Sequence, residues 1–380
     1  MSPPHSFRLC LNPHAGIADN PVLPPDEYRC AKAEITGWNG YAPTPLHDLP
    51  TVAGNAGVAA IRLKDESGRF GLGSFKALGG AYAAGVALAA VLARLGGMPG
   101  DVTLTSATDG NHGRAVAWGS VRLGCRCVIF VHATVSQARV DAIAAFGAEV
   151  RRVPGTYDDA VRAAELAGRQ PGWVVVSDTS WPGYTDIPRA IMQGYRLMAD
   201  EAAGQWQGAP PTHVFIQAGV GGVAAAVSVQ LRDCFTPAPR LVVVEPRDAA
   251  CLLASAEAGR LTSVSGTLDT LMAGLACGEP SLLAWQELTR SATAFMAIPD
   301  QAAVDGMRLL AEQGIVSGES GAAGLAGFRL AAAGDAARAA LHLGSDSRVL
   351  LFSTEGATDR LLYQRLTGHS PEAVGSQQRH

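Results

Sequence analysis

Residues 213–227 read HVFIQAGVGGVAAAV. An apolar run with β-branched residues gives way to Gly219-Val220-Gly221-Gly222 and then to an alanine-rich run of helical composition. A strand, a glycine turn and a helix in succession form the repeating unit of an α/β fold with a parallel sheet. Gly219-Val220-Gly221-Gly222-Val223-Ala224 also fits the pattern G-x-G-x-x-G/A, and Glu245 ends the next apolar run about 20 residues on, as in a dinucleotide fingerprint. By itself the stretch suits a nicotinamide dinucleotide, another phosphate-bearing ligand, or a plain tight turn. The first two share one physical basis. Glycines leave backbone N–H groups open at a helix N-terminus, where they stabilise a phosphate.

The same alternation runs along the chain. VAAIRL (58–63), VTLT (102–105), CVIFV (127–131), WVVVS (173–177), LVVVE (241–245) and RVLLFS (348–353) read as buried strands. Residues 75–95, 112–124, 136–147, 157–168, 187–203, 221–233, 301–313 and 321–333 read as helices. Continuous apolar strands separated by helices predict mostly parallel sheets covered on both faces. Residues 1–45 are rich in Pro and Asn and read as an extended arm. The length of 380 residues suits two domains, or one large α/β unit with an insertion.

Hydrophobic residues make up 48% and charged residues 17%, enough for a sizeable core and against disorder. A formal net charge of −4 with no long basic run argues against nucleic-acid and anionic-membrane partners. The N-terminal residues lack the pattern of a signal peptide, and AYAAGVALAAVLA (81–93) is too short to span a bilayer. A soluble, cytoplasmic protein with a buried helix at that point is expected. Seven scattered cysteines without C-x-x-C argue against a disulfide framework, and nine histidines without ligand spacing argue against a metal.

Four loops follow strands, and in open α/β sheets such loops line the ligand crevice. They are GLGSFKALGG (71–80), SATDGNHG (106–113), AGVGG (218–222) and STEGATD (353–359). A dinucleotide site usually occupies the first βα turn of its domain, whereas this glycine loop lies deep in the chain. A lysine loop, an asparagine loop and a phosphate loop in that order suit a phosphorylated aldehyde. Lys76 would supply a Schiff base, a polar side chain would meet the ring, and the glycines would hold the phosphate. Pyridoxal 5'-phosphate has those three needs. Its flat ring must also lie close to backbone, and the glycines and Ser74 around Lys76 are expected to clear that room.

GSFKALGGAYA, SATDGNHGRAVAWGS, SDTSWPGYTDIPRAIMQGY, PTHVFIQAGVGG, TLMAGLACGEP, VSGESGAAGLAG and STEGATD resemble the fold-type II pyridoxal-phosphate enzymes. Within that group they closely resemble the diaminopropionate ammonia-lyases. GSFK, GNHG and GVGG mark the wider group, which includes threonine and serine dehydratases. TDGNHG with DTSWPGY and MAGLACGEP is the more specific combination. The resemblance implies elimination of ammonia from D- and L-2,3-diaminopropionate, giving pyruvate and a second ammonia, by a homodimer. A threonine/serine or hydroxyaspartate dehydratase, or a lyase for another β-substituted amino acid, would keep the cofactor and change the substrate. An NAD-dependent dehydrogenase is the distant alternative, and a cofactor-binding homologue without activity is a third class. The expected domains are an arm (1–39), a large cofactor-binding domain (40–85 plus 186–367), a small domain (86–185) and a flexible tail (368–380), with the cofactor in the cleft.

The resemblance also implies roles. Lys76 would carry the cofactor, with Phe75 beside it, and its freed amine, kept neutral by a depressed pKa, would take the Cα proton of the L-isomer. Asp109 would take that of the D-isomer, and Asp178 would help hold the substrate's second amine. Asn111 would meet the ring hydroxyl. Gly219, Val220, Gly221 and Gly222 would hold the phosphate. Ser353 would meet the pyridine nitrogen, with Thr354 next to it. Ser106 and Thr108 suit the substrate carboxylate, and Tyr184 suits either the pocket or the core. Cys251 and Cys277 match two cysteines that can pair near the entrance as a redox switch. His112 and Trp118 are expected to pack, and Glu245 is expected to hydrogen-bond loop backbone.

Overall fold

Eleven strands form two sheets in a computed structural model that describes residues 5–16, 22–108, 110–133 and 135–376. The strands are β1 (Arg8–Leu11), β2 (Leu46–Asp48), β3 (Ala60–Asp65), β4 (Thr103–Ala107), β5 (Arg126–His132), β6 (Glu149–Val153), β7 (Trp173–Val175), β8 (His213–Gln217), β9 (Arg240–Pro246), β10 (Ala294–Ile298) and β11 (Arg348–Ser353). The contacts divide the chain into two units. One comprises Met1–Val22, Pro43–Ser74 and Met198–His380, and the other Leu23–Ala42 and Phe75–Leu197.

The first unit holds a seven-stranded sheet in the order β1-β10-β9-β8-β11-β3-β2. Its five inner strands are parallel, and β1 and β2 pair antiparallel at the two edges. Every residue of β8 and β10 is buried, as a parallel sheet covered on both faces requires. β10 (AFMAI) escapes strand periodicity because Ile298 is its single β-branched residue. Its place between β9 and β1 decides its conformation. The core of this unit spreads over Leu63, Phe215, Val244, Met296, Met307, Phe328 and Leu351.

The second unit holds a four-stranded parallel sheet in the order β6-β5-β4-β7. β6 (EVRRV) lies at the edge, with Glu149, Arg151 and Arg152 exposed, so its charged sequence hides it from an apolar pattern. The 20-residue helix Lys76–Leu95 is long and apolar enough to cross a membrane, yet most of its first half is buried within this unit.

The N-terminal segment is not an extended arm throughout. Pro25–Thr36 is a helix, begun by Pro25 with Asp26 and Glu27 in its first turn, and it buries Tyr28, Ala31 and Ile35 on one face. Pro371–Ser376 is also helical and buries Val374, so the chain is ordered to that point.

Candidate active site

In the second unit, Lys76 is the first residue of its helix, and its ammonium lies 2.6 Å from Asp178 Oδ2. Lys76 Nζ also sits 5.4 Å from the centre of the Phe75 ring and 5.6 Å from that of Tyr195. The two rings are 4.6 Å apart. A cation is disfavoured at the positive end of a helix. Here the carboxylate and two aromatic faces offset that.

Asp178 arrives by sheet geometry. β4 and β7 are parallel, with Thr105 opposite Val175, so the turn from Ser106 at the end of β4 through Thr108 to Asn111, and the loop carrying Asp178, leave the same end of the sheet. Burial works to raise the Asp178 carboxyl. Lys76, and then His112, overcome it and hold that carboxyl well below the usual carboxylate range. Tyr184 shapes this loop. Its hydroxyl donates to the Val175 carbonyl at 2.9 Å and accepts from the Ser177 N–H at 3.0 Å, while its ring stacks on Trp181.

Asn111 opens the helix Asn111–Leu123, and its Oδ1 accepts from the Arg114 guanidinium. The Thr108 hydroxyl accepts from the Gly110 N–H at 3.3 Å, and Ser106 is buried within β4. Asp109 lies outside the described residues.

The glycines beside Lys76 do other work than the sequence suggests. A Cβ at Gly79 would come within 2.4 Å of the Tyr195 ring, and one at Gly80 within 2.9 Å of Ala115 Cβ. A Cβ at Gly194 would lie 2.0 Å from the Leu78 carbonyl oxygen. These residues let three helices close on one another. Gly71 and Gly73 serve turns, at φ of +71° and +78°. Ser74 bridges to Glu355 within the first unit.

That unit carries the glycine loop between β8 and the helix Gly222–Cys234. Among the described residues, no backbone carbonyl takes the N–H groups of Gly219, Val220 or Gly221, and Gly222 begins the helix. A Cβ at Gly219 would meet Cys277 Sγ at 3.0 Å, and Gly221 adopts φ +99° with Ala284 Cβ 3.0 Å from its Cβ position. Cys251 donates to the Gly219 carbonyl at 3.7 Å. Cys251 and Cys277 both flank Gly219, and no disulfide joins them. Glu245 accepts from the N–H groups of Leu252 and Leu253, a backbone role and not a ribose contact. β11 runs parallel to β8, so Ser353 ends at the same side of the sheet as the glycine loop. Its hydroxyl donates to Ser317 Oγ at 2.8 Å, while Thr354 Oγ1 accepts from Gln217.

The model of the family described as pyridoxal-phosphate dependent enzyme matches residues 38–355. The chain belongs to that family. It is 43% identical to the diaminopropionate ammonia-lyase of Escherichia coli (strain K12), over 94% of this chain and 97% of that one. It is 38% identical to the enzyme of that name from Salmonella typhimurium (strain LT2), over 88% and 90%. The crystal structure of diaminopropionate ammonia lyase from Escherichia coli in complex with D-serine superposes with a TM-score of 0.88 at 38% identity, covering 97% of this chain and 99% of that one.

The residues present fit the cofactor of this pyridoxal-phosphate-dependent enzyme. The glycine loop leaves the N–H groups of Gly219, Val220 and Gly221 without a backbone acceptor among the described residues at the start of a 13-residue helix, and its tight path depends on glycine because a Cβ at 219 or 221 would press on Cys277 or Ala284 at 3.0 Å. Lys76 supplies a primary amine held against two aromatic faces. Sequence reasoning missed Tyr195, although it lies in the quoted motif DTSWPGYTDIPRAIMQGY. It also gave His112 to packing alone. Nothing in local periodicity reveals that both side chains surround one lysine.

Proposed function

We propose that the protein catalyses α,β-elimination of ammonia from D- and L-2,3-diaminopropionate, with water completing the conversion to pyruvate and a second ammonia. The observation that carries this reading is the Lys76–Asp178 pair at 2.6 Å, an amine suited to a carbonyl cofactor beside a carboxylate suited to an ammonium. The kinship at 43% identity supports the same substrate.

Pyridoxal 5'-phosphate, when bound, supplies an electron sink for the pair left at Cα when its proton is removed. Gly219, Val220, Gly221 and Gly222 would hold its phosphate through their N–H groups, and Asn111 and Ser353 would hold its ring, Asn111 at the hydroxyl and Ser353 at the nitrogen. Lys76 carries it and then takes the Cα proton of the L-isomer through Nζ, while Asp109 takes that of the D-isomer. Asp178 holds the substrate's second ammonium, the group that a hydroxy amino acid lacks. Ser106 and Thr108 flank the substrate carboxylate, and Tyr184 keeps the Asp178 loop in place. The enzyme works in the cytoplasm as a homodimer on a small amino acid, with no nucleic-acid or membrane partner.

The test is pyruvate release from D- and L-diaminopropionate, with L- and D-serine and L-threonine alongside, for wild type, Lys76→Ala and Asp109→Asn. Both diamine isomers turn over in wild type, neither does in Lys76→Ala, and Asp109→Asn loses mainly the D-isomer. Turnover of serine or threonine without the diamine would overturn the substrate and keep the fold.

A further inference from the structure

His112 lies behind Asp178 in the second unit. It is 5% exposed, and its Nε2 is 2.9 Å from the Val176 carbonyl oxygen. A carbonyl can only accept, so the ring proton resides on Nε2 and leaves a lone pair on Nδ1. That Nδ1 is buried, has no hydrogen-bond partner among the described residues, and faces Asp178 Oδ2 at 4.0 Å. An unpartnered buried acceptor is rare and costly. Packing alone would not keep it.

We propose that His112 is a positioning residue acting through Asp178, with Nδ1 as the acceptor for a proton that Lys76 hands to that carboxyl. This deepens the function proposed above and rests on it. The step balances. The Lys76 N–H bond breaks as a bond to Asp178 Oδ2 forms, and in the same movement the proton passes on to Nδ1, because the lowered carboxyl does not keep it; the carboxylate is left charged beside an imidazolium. Lys76 is left with the free amine needed at Cα, and the reverse transfer returns the proton for the departing ammonia. A shift of about 1 Å brings Nδ1 to hydrogen-bonding distance of Oδ2.

The surroundings suit a transfer closed to water. Among the described residues, the charged and titratable groups around His112 are Asp178, from the loop after β7, and Lys76, from its helix. Tyr195, from the helix Asp186–Gln205, faces both of those groups. Burial favours the neutral ring and Asp178 favours the charged one, so the proton is held only while the carboxylate is bare.

Two measurements on the holoenzyme test this. The first is a 15N NMR titration of the histidine side chains, with His112 assigned by its loss in His112→Asn. Wild type shows Nε2 protonated and Nδ1 bare at pH 7, and Asp178→Asn moves the titration to lower pH. The second is the pH profile for pyruvate release in His112→Asn and His112→Gln. We expect kcat to fall about 100-fold with KM within about twofold, and the acidic limb to move. Nδ1 protonated at pH 7, or a His112→Asn profile that superposes on wild type, overturns the inference. If His112→Asn does not fold, the Asp178→Asn titration and the His112→Gln profile decide it. A wild type that releases no pyruvate overturns the proposed function instead, and the tautomer and the Asp178→Asn shift still test His112 on their own.

Discussion

Glu245, next to last in β9, is fully buried, with both carboxyl oxygens accepting backbone N–H groups at the start of the helix Cys251–Ala258. Burial outweighs those bonds and pushes its carboxyl up to about 8. The unfolded chain then releases this proton near the ordinary value of 4.5, while the folded chain keeps it to about 8. Between those values the folded state binds more protons, so stability falls as pH rises, by about 1.4 kcal/mol per pH unit from this group. Glu245→Gln should flatten that slope. Urea midpoints at pH 5, 6.5 and 8 for both proteins check it, and parallel slopes would show that Glu245 ionises normally. Asp178 behaves in the opposite sense. Its lowered carboxyl stabilises the fold above its unfolded value, and that stability is lost as pH falls through the folded one.

At the scale of elements, the helix of Lys76 is placed by close approach on two sides. Gly194 admits the Leu78 carbonyl, and Gly119 admits Ala81, whose Cα would lie 2.7 Å from a Cβ there. Backbone cannot yield as a flexible side chain can, so Gly194→Ala should cost about 3 kcal/mol. The same move should shift Tyr195, next to Gly194, and Lys76, two residues before Leu78. Thermal unfolding measures the first effect, and the visible band of the bound cofactor reports the second. An unchanged melting temperature would mean that the two helices part without penalty. The element boundaries were largely legible. The helix read at 75–95 is Lys76–Leu95, and that read at 157–168 is Tyr157–Ala167. The helix Pro25–Thr36 was obscured because its neighbouring prolines and asparagines signal turns more loudly than three apolar residues signal a face.

At the scale of the whole molecule, the first unit is assembled from separate stretches of chain, and a buried quartet joins two of them. Arg69 pairs with Glu66 at 2.8 Å and Glu201 at 2.7 Å, and Lys64 pairs with Glu201 at 2.7 Å. Thr44 and Gln205 take up the remaining bonds. Two positive and two negative side chains balance where none is more than 4% exposed. Arg69→Met leaves one lysine for two glutamates, and should destabilise the protein by about 3–5 kcal/mol. Urea denaturation measures this, and a loss under about 1 kcal/mol would show that water reaches the cluster. Nothing in the local sequence marks Lys64 and Arg69 as buried, because their partner Glu201 lies in a helix more than a hundred residues on.

The sequence by itself determined the fold class, the order of the four loops and the cofactor. Each rests on short-range chemistry: a strand, a glycine turn, an amine or a hydroxyl at the strand's end. Only the tertiary structure decided what surrounds Lys76. Asp178 is 102 residues away along the chain, and the parallel pairing of β4 with β7 delivers it. Of the glycines read as room for a ring, Gly79 and Gly80 admit neighbouring helices. His112 read as packing, and the structure shows a buried ring nitrogen without a hydrogen-bond partner facing the site's carboxylate. Local patterns record which face of an element is buried. They do not record what it is buried against, because that depends on the register of strands and helices distant in sequence.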